Sequence, residues 1–228
     1  MSKKKSTISP LYAHDKPKST ISEKFRGIRS NIMFSSAENE ISSILVTSEK
    51  PASGKSTISA NIAVTYAQAG YKTLIIDGDM RKPTQHYIFD LPNNSGLSNL
   101  IINKATYRDS IKETKVENLG ILTSGPTPPN PSELIASSKF GDIFNELLKH
   151  YDFIVVDTPP VNTVTDAQIY AQTVKNCVLV IDAEKNNKNE VKKAKELLNK
   201  ADGRLLGAIL NKTPIDKNSS YYYYYGEE

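Results

Sequence analysis

Tryptophan is absent from this chain of 228 residues, and cysteine occurs once, at position 177. A lone cysteine forms no intramolecular bridge, which excludes a disulfide-held scaffold. Cys177 stands in an apolar run with Val178, Leu179 and Val180, and that setting predicts a small buried strand residue rather than a nucleophile. No apolar stretch approaches 18 residues, so no helical membrane span is expected. The polar, lysine-rich start lacks the apolar core of a signal peptide. A cytoplasmic protein is expected.

What is present is an ordinary globular composition, 38% apolar and 24% charged, long enough for one domain with a real core. The net charge of +4 has an address. Lys3, Lys4, Lys5, Lys16 and Lys18 stand against Asp15 in the first 18 residues, and the rest of the chain is balanced. The body therefore has no electrostatic footprint for nucleic acid, which is not expected as a partner. Twelve tyrosines against six phenylalanines is the unusual count, because Tyr221, Tyr222, Tyr223, Tyr224 and Tyr225 stand in one block.

Residues 1–19 read as an extended basic arm. Thr20 to Glu23 fits a capping box, with Thr20 as N-cap and Glu23 reaching back. Ile21, Phe25, Ile28, Ile32 and Met33 then recur at helical spacing to about residue 36. Short continuous apolar runs at 44–47, 73–76, 119–122, 153–156, 178–181 and 205–210 read as strands covered on both faces. Helical patterns at 55–69, 132–149, 165–173 and 188–201 alternate with them. This predicts an α/β domain over 20–213, with a doubly wound, mostly parallel sheet. Residues 79–118 carry no clear pattern, and 126–131, with four prolines, reads as a loop. Residues 214–228 read as a flexible tyrosine-rich tail.

The strand at 44–47 runs into residues 48–57, which end Gly54, Lys55, Ser56, Thr57, and a helix follows. That is the setting of a phosphate-binding loop, whose backbone N–H groups and helix N-terminus wrap a phosphate chain. Ala52, Ser53 and Gly54 would line it. Lys55 would reach the β- and γ-phosphates, the Ser56 hydroxyl would ligate Mg²⁺, and Thr57 would sit near the α-phosphate. The strict pattern fails at its first glycine, which is Glu49 here. Two further strands end in carboxylates: one in Asp77 and Asp79 ahead of Arg81 and Lys82, the other in Asp157. In an open parallel sheet the ligand lies beyond the carboxyl ends of the strands. Asp79, Asp157 and Ser56 could hold Mg²⁺, which takes one or two carboxylates with phosphate oxygens and water.

These three segments, residues 48–57, 75–81 and 154–160, resemble the Walker A, A′ and B motifs of the bacterial tyrosine kinases, or BY-kinases. This family belongs with the P-loop ATPases related to ParA and MinD. The closest resemblance is to the type that works in capsular polysaccharide synthesis, where the kinase is a separate chain activated by the cytoplasmic segment of a membrane protein. Glu23, Arg26 and Arg29 resemble the family's E-x-x-R-x-x-R oligomerisation motif, residues 128–134 its proline-rich loop, and the tyrosine block its autophosphorylation site. One departure stands at Ala52, where the family usually has glycine.

The resemblance implies ATP and Mg²⁺ as cofactors, a ring-shaped homo-oligomer, and phosphorylation of the tyrosine block within that ring, in trans. Such modification would regulate capsule or exopolysaccharide synthesis. For the phenolic proton the acceptor is Asp77, with Asp79 and Asp157 on the metal, though Asp77 and Asp79 could exchange roles. Asn211 either reads the adenine edge or merely closes the last strand. Two rivals stay open. Lys50 lies five positions before Lys55, as in switch ATPases of the ParA and MinD kind, which hydrolyse ATP and modify no tyrosine. A nucleotide-sensing scaffold would bind ATP without turnover.

Overall fold

Ten helices and seven strands are formed among residues 10–35 and 40–213, the part that the computed structural model describes. The strands are β1 (Ser43–Ser48), β2 (Thr73–Asp77), β3 (Ile111–Glu113), β4 (Leu119–Leu122), β5 (Phe153–Asp157), β6 (Asn176–Asp182) and β7 (Arg204–Asn211). They build one sheet in the order β3-β4-β2-β5-β1-β6-β7. Every neighbouring pair is parallel except β3 with β4. The expected doubly wound α/β sheet is therefore the fold.

The helices are α1 (Tyr12–Asp15), α2 (Thr20–Phe34), α3 (Lys55–Gln68), α4 (Gln85–Ile88), α5 (Leu97–Ile101), α6 (Tyr107–Ser110), α7 (Pro131–Ala136), α8 (Ser138–Leu147), α9 (Asp166–Val174) and α10 (Lys188–Lys200). Along β1, β2, β4, β5 and β6 alternate residues enter opposite cores, which is why these strands lack polar alternation. The run at 205–210, expected to be covered on both faces, is instead half-buried to exposed, because β7 lies at the edge of the sheet and Leu210 faces outward. Ile44, Val46, Ile75, Phe153 and Val155 pack under α1, α2 and α3, around Leu11, Phe25, Ile62 and Tyr66. Leu45, Leu74, Ile76, Ile154 and Val156 pack against α8, α9 and α10, around Phe140, Phe144, Tyr170 and Leu198. The Tyr66 and Phe153 rings stack with centroids 3.6 Å apart.

Several local expectations are corrected. Ser19, not Thr20, caps α2: its Oγ accepts the Ser22 N–H, and Glu23 turns to Arg26 instead of back to the backbone. Residues 10–19 are not extended. Leu11 and Ala13 are buried, the Ala13 N–H donates to Asn61 Oδ1 (2.9 Å), and Asn61 Nδ2 donates to the Pro10 carbonyl (2.7 Å). The helical pattern at 132–149 is two helices, because Ser137 takes extended backbone angles between α7 and α8. Residues 79–118 hold α4, α5, α6 and the short β3. Lys3, Lys4 and Lys5 and the tyrosine block Tyr221, Tyr222, Tyr223, Tyr224 and Tyr225 lie outside the described residues. Among those described, no helix is long and apolar enough to cross a membrane.

Candidate active site

Strands β2, β5 and β1 are consecutive in the sheet, so the segments that follow them emerge side by side. Asp77 and Asp157 are direct register partners, and Asp157 pairs with Val46 on its other side. After β1 the chain turns through residues 49–54 into α3, whose first residue is Lys55. Gly54 holds φ of 92°, and a Cβ there would lie 2.2 Å from Asn211 Nδ2, so only glycine fits. Ala52 holds φ of 61°, a left-handed conformation that its methyl group disfavours.

The outward carbonyls of this loop are tied down from the end of β7. Asn211 Nδ2 donates to the Ser53 carbonyl (2.9 Å), and Lys212 Nζ donates to the Ala52 carbonyl (2.8 Å) and to Asp182 Oδ2 (2.9 Å). Ser53 Oγ donates to the Lys50 carbonyl (3.1 Å). Asn211, assigned from sequence either to an adenine edge or to a strand end, thus has a third task, bracing the loop. Lys50 donates its ammonium to the Lys185 carbonyl of its own chain.

At the centre lies the Lys55 ammonium, 3.1 Å from Asp79 Oδ2, 3.5 Å from Asp157 Oδ1 and 3.2 Å from the Ser56 hydroxyl. Burial works against its charge, but Asp157 and Asp79 outweigh burial and hold its pKa above the ordinary lysine value. Asp77 is fully buried. Its Oδ2 accepts the N–H groups of Thr84 (3.0 Å) and Gln85 (2.9 Å), and its Oδ1 accepts that of Asp79 (3.3 Å). Burial, and then the neighbouring Asp157 charge, push the Asp77 carboxyl well above the usual carboxylate range. Asp79 Oδ1 accepts the Lys82 N–H (3.0 Å). Thr57, part-buried, gives its carbonyl to Asn61 and contacts none of the carboxylates by hydrogen bond.

Lys55, Ser56, Asp77, Asp79 and Asp157 thus converge as the sequence predicted. Mg²⁺ takes one or two carboxylates with phosphate oxygens and water, and Asp79, Asp157 and the Ser56 hydroxyl gathered at one ammonium suit that set. Among the described residues no three His, Cys, Asp or Glu side chains form a metal cage. Four participants, Ser59, Gln85, Ser132 and Asp166, were missed. Ser59 Oγ donates to Asp157 Oδ1 (3.3 Å), and its position one turn past Lys55 was a usable signal. Gln85 Nε2 donates to Asp157 Oδ2 (2.8 Å), and Arg81 forks onto Asp166 (2.8 and 3.0 Å), with Ser132 between them. Gln85 and Asp166 each follow a motif segment closely, but their partners Asp157 and Arg81 belong to the other one, and only the fold pairs them.

Glu23, Arg26 and Arg29 lie on α2, away from this centre. Arg26 pairs with Glu23 and donates to the Pro17 carbonyl, while Arg29 Nη1 donates to the Thr65 carbonyl of α3 (2.6 Å). Cys177 is buried, and burial pushes its thiol up to about 12, which suits an inert strand residue.

Comparison with known proteins agrees with this geometry. A family model described as an AAA domain matches residues 41–212. CapB of Staphylococcus aureus is 86% identical over 228 residues, all of both chains. The tyrosine-protein kinase YwqD of Bacillus subtilis is 43% identical, covering 94% of this chain and 90% of its own. Among solved structures, the chimerical protein CapA2B2 is 61% identical, covers 91% of each chain, and superposes with a TM-score of 0.88. The septum site-determining protein MinD of Pyrococcus horikoshii, solved with Mg-ADP, is 27% identical with a TM-score of 0.64, covering 74% of this chain and 69% of its own. Relatives named as tyrosine kinases over nearly the whole length, and a fold shared with MinD, place the chain in the bacterial tyrosine-kinase family of P-loop ATPases.

Proposed function

We propose that this kinase transfers the γ-phosphoryl group of Mg-ATP to tyrosines of its own C-terminal block, Tyr221, Tyr222, Tyr223, Tyr224 and Tyr225, between subunits of a ring. The observation that carries this reading is the meeting of three strand ends at the Lys55 ammonium. The backbone of residues 52–57 would cradle the phosphates, with Asn211 beside the base. Ser56, Asp79 and Asp157 would hold Mg²⁺, which when bound neutralises charge on the β- and γ-phosphate oxygens.

The phenolic oxygen forms its bond to the γ-phosphorus as the bond from that phosphorus to the bridging oxygen breaks, releasing ADP. Such a transition state is loose, so the chain contributes mainly position and charge. Lys55 offsets the charge gathering on the leaving oxygen. The phenolic proton goes to Asp77, which must be in its ionised form to take it. A carboxyl with raised proton affinity lies closer to a phenol of pKa about 10 than an ordinary one does. Three N–H groups occupy three of its roughly four acceptor positions, leaving one. Asp77→Asn should then abolish transfer while sparing nucleotide binding, whereas Asp79→Asn should weaken the response to Mg²⁺.

The relatives' names, CapB among them, support a role in capsule synthesis. We place the kinase in the cytoplasm at the inner membrane face, held there by the cytoplasmic segment of a membrane activator, with other protein substrates open. Incubation with Mg-ATP, with and without such a segment, followed by mass spectrometry, tests the reading against a Lys55→Met control. Phosphate on the C-terminal tyrosines of the wild type alone is expected. ATP turnover with no phosphotyrosine under any condition would favour a switch ATPase instead.

A further inference from the structure

Gln85 is fully buried, and as the first residue of α4 it touches all three segments of the site. Its backbone N–H donates to Asp77 Oδ2 (2.9 Å). Its side-chain Nε2 donates to the Ser56 carbonyl (3.0 Å) and to Asp157 Oδ2 (2.8 Å). The amide cannot face the other way, because Oε1 would then oppose two acceptors. Its Oε1 is buried without a hydrogen-bond partner. A methionine of similar size would fill the same space, but it would leave the Ser56 carbonyl and Asp157 Oδ2 without this donor, so the amide is held by its two acceptors rather than by its volume. Packing therefore does not account for an amide at this position.

The two oxygens of Asp157 are held in contrasting ways. Oδ1 faces two adjustable donors, the Ser59 hydroxyl (3.3 Å) and the Lys55 ammonium (3.5 Å). Oδ2 faces the Gln85 amide, fixed at its other proton by the Ser56 backbone. We propose that Gln85 is a positioning residue for the metal site: it clamps Asp157 Oδ2 to the start of α3, so that Oδ1 points to the metal beside Ser56. A neutral amide is the suitable group, since a glutamate would set a further negative charge against Asp77 and Asp157.

This inference rests on the Mg-nucleotide reading above, and one titration separates the two. The affinity of a fluorescent ADP analogue is measured with EDTA and across a Mg²⁺ series, for wild type, Gln85→Met and Gln85→Glu. In Gln85→Met half-saturation by Mg²⁺ should rise about tenfold or more, a larger factor than any fall in metal-free affinity, as for other groups that position a metal ligand. Gln85→Glu should show at least that loss although it is isosteric. Unchanged Mg²⁺ half-saturation in both, or a parallel fall in metal-free affinity, would overturn the proposal. If Gln85→Met fails to fold, the Gln85 side-chain amide resonances of ADP-loaded wild type decide. They must shift on adding Mg²⁺, and no shift overturns the assignment. A wild type that binds the analogue under neither condition defeats the underlying reading instead.

Discussion

Ala52 is the one non-glycine residue of the phosphate-binding loop in a left-handed conformation, at φ 61°. Its methyl group is strained there at roughly 1 kcal/mol, partly offset by the greater freedom of glycine in the unfolded chain. Ala52→Gly should raise the melting temperature by about 2–4 °C per kcal/mol recovered, read by calorimetry. An unchanged or lower value would show that relief of the loop does not exceed the added freedom of the unfolded chain. Asp77 gives a pH-dependent counterpart. Its folded proton affinity exceeds its unfolded one, so its contribution to stability is complete below about pH 4 and is lost as pH rises through the folded value. The stability difference between Asp77→Asn and wild type should therefore shift in favour of the variant as pH is raised. Denaturant titrations at several pH values measure this, and a constant difference would contradict a raised carboxyl.

At the scale of elements, α2 separates two arginines that the spacing grouped together. Arg26 pairs with the exposed Glu23 on the helix surface, whereas Arg29 reaches across to the α3 backbone. Joint replacement of Glu23 and Arg26 by alanine should break a ring, if they build it, while changing stability by less than about 1 kcal/mol. Arg29→Ala should lower the melting temperature as well, so it is the poorer probe of assembly. Size-exclusion beside thermal melts distinguishes the two, and an intact ring in the double variant would remove the motif from the interface. The central strands were legible because a strand buried on both faces is a continuous apolar run, as 153–156 is, whereas the short, half-exposed β3 carries no such run. Helices α4, α5 and α6 were not, since four or five residues show no helical period. The break at Ser137 was hidden for the opposite reason: Ile135, Phe140, Ile143 and Phe144 face one core, so the apolar period runs on across it. Likewise the Asp residues at strand ends announced the site, but Gln85 reaches Asp157 across 72 positions of chain.

At the scale of the whole molecule, the sheet separates two cores, and Phe153 anchors the one beneath α3 by stacking on Tyr66. Phe153→Ala should cost about 3–5 kcal/mol, measured by denaturant unfolding, and a loss below 1 kcal/mol would mean that the site collapses around the gap. The charge distribution is equally divided by region. A balanced body carries a basic start, and the tyrosine block stands at residues 221–225. Replacing Tyr221, Tyr222, Tyr223, Tyr224 and Tyr225 together by phenylalanine should remove the phosphate acceptors and leave Mg-nucleotide affinity as it was. Weakened affinity would instead tie the block to the site itself.

The place of Lys55 bears on how the enzyme loads. Two acidic side chains already have a counter-ion, supplied by the chain on a flexible stem. A free divalent ion arriving alone competes with a tethered cation that has nowhere better to go. A polyphosphate would change the balance, because it would offer Lys55 a second anion and leave Asp79 and Asp157 free to hold a metal. On the Mg-nucleotide reading Lys55 would guard these two carboxylates until a phosphate chain drew it away. Manganese resonance spectra should accordingly show little binding to the nucleotide-free wild type and clear binding to Lys55→Met, whereas equal binding by both would mean that the lysine does not guard the site.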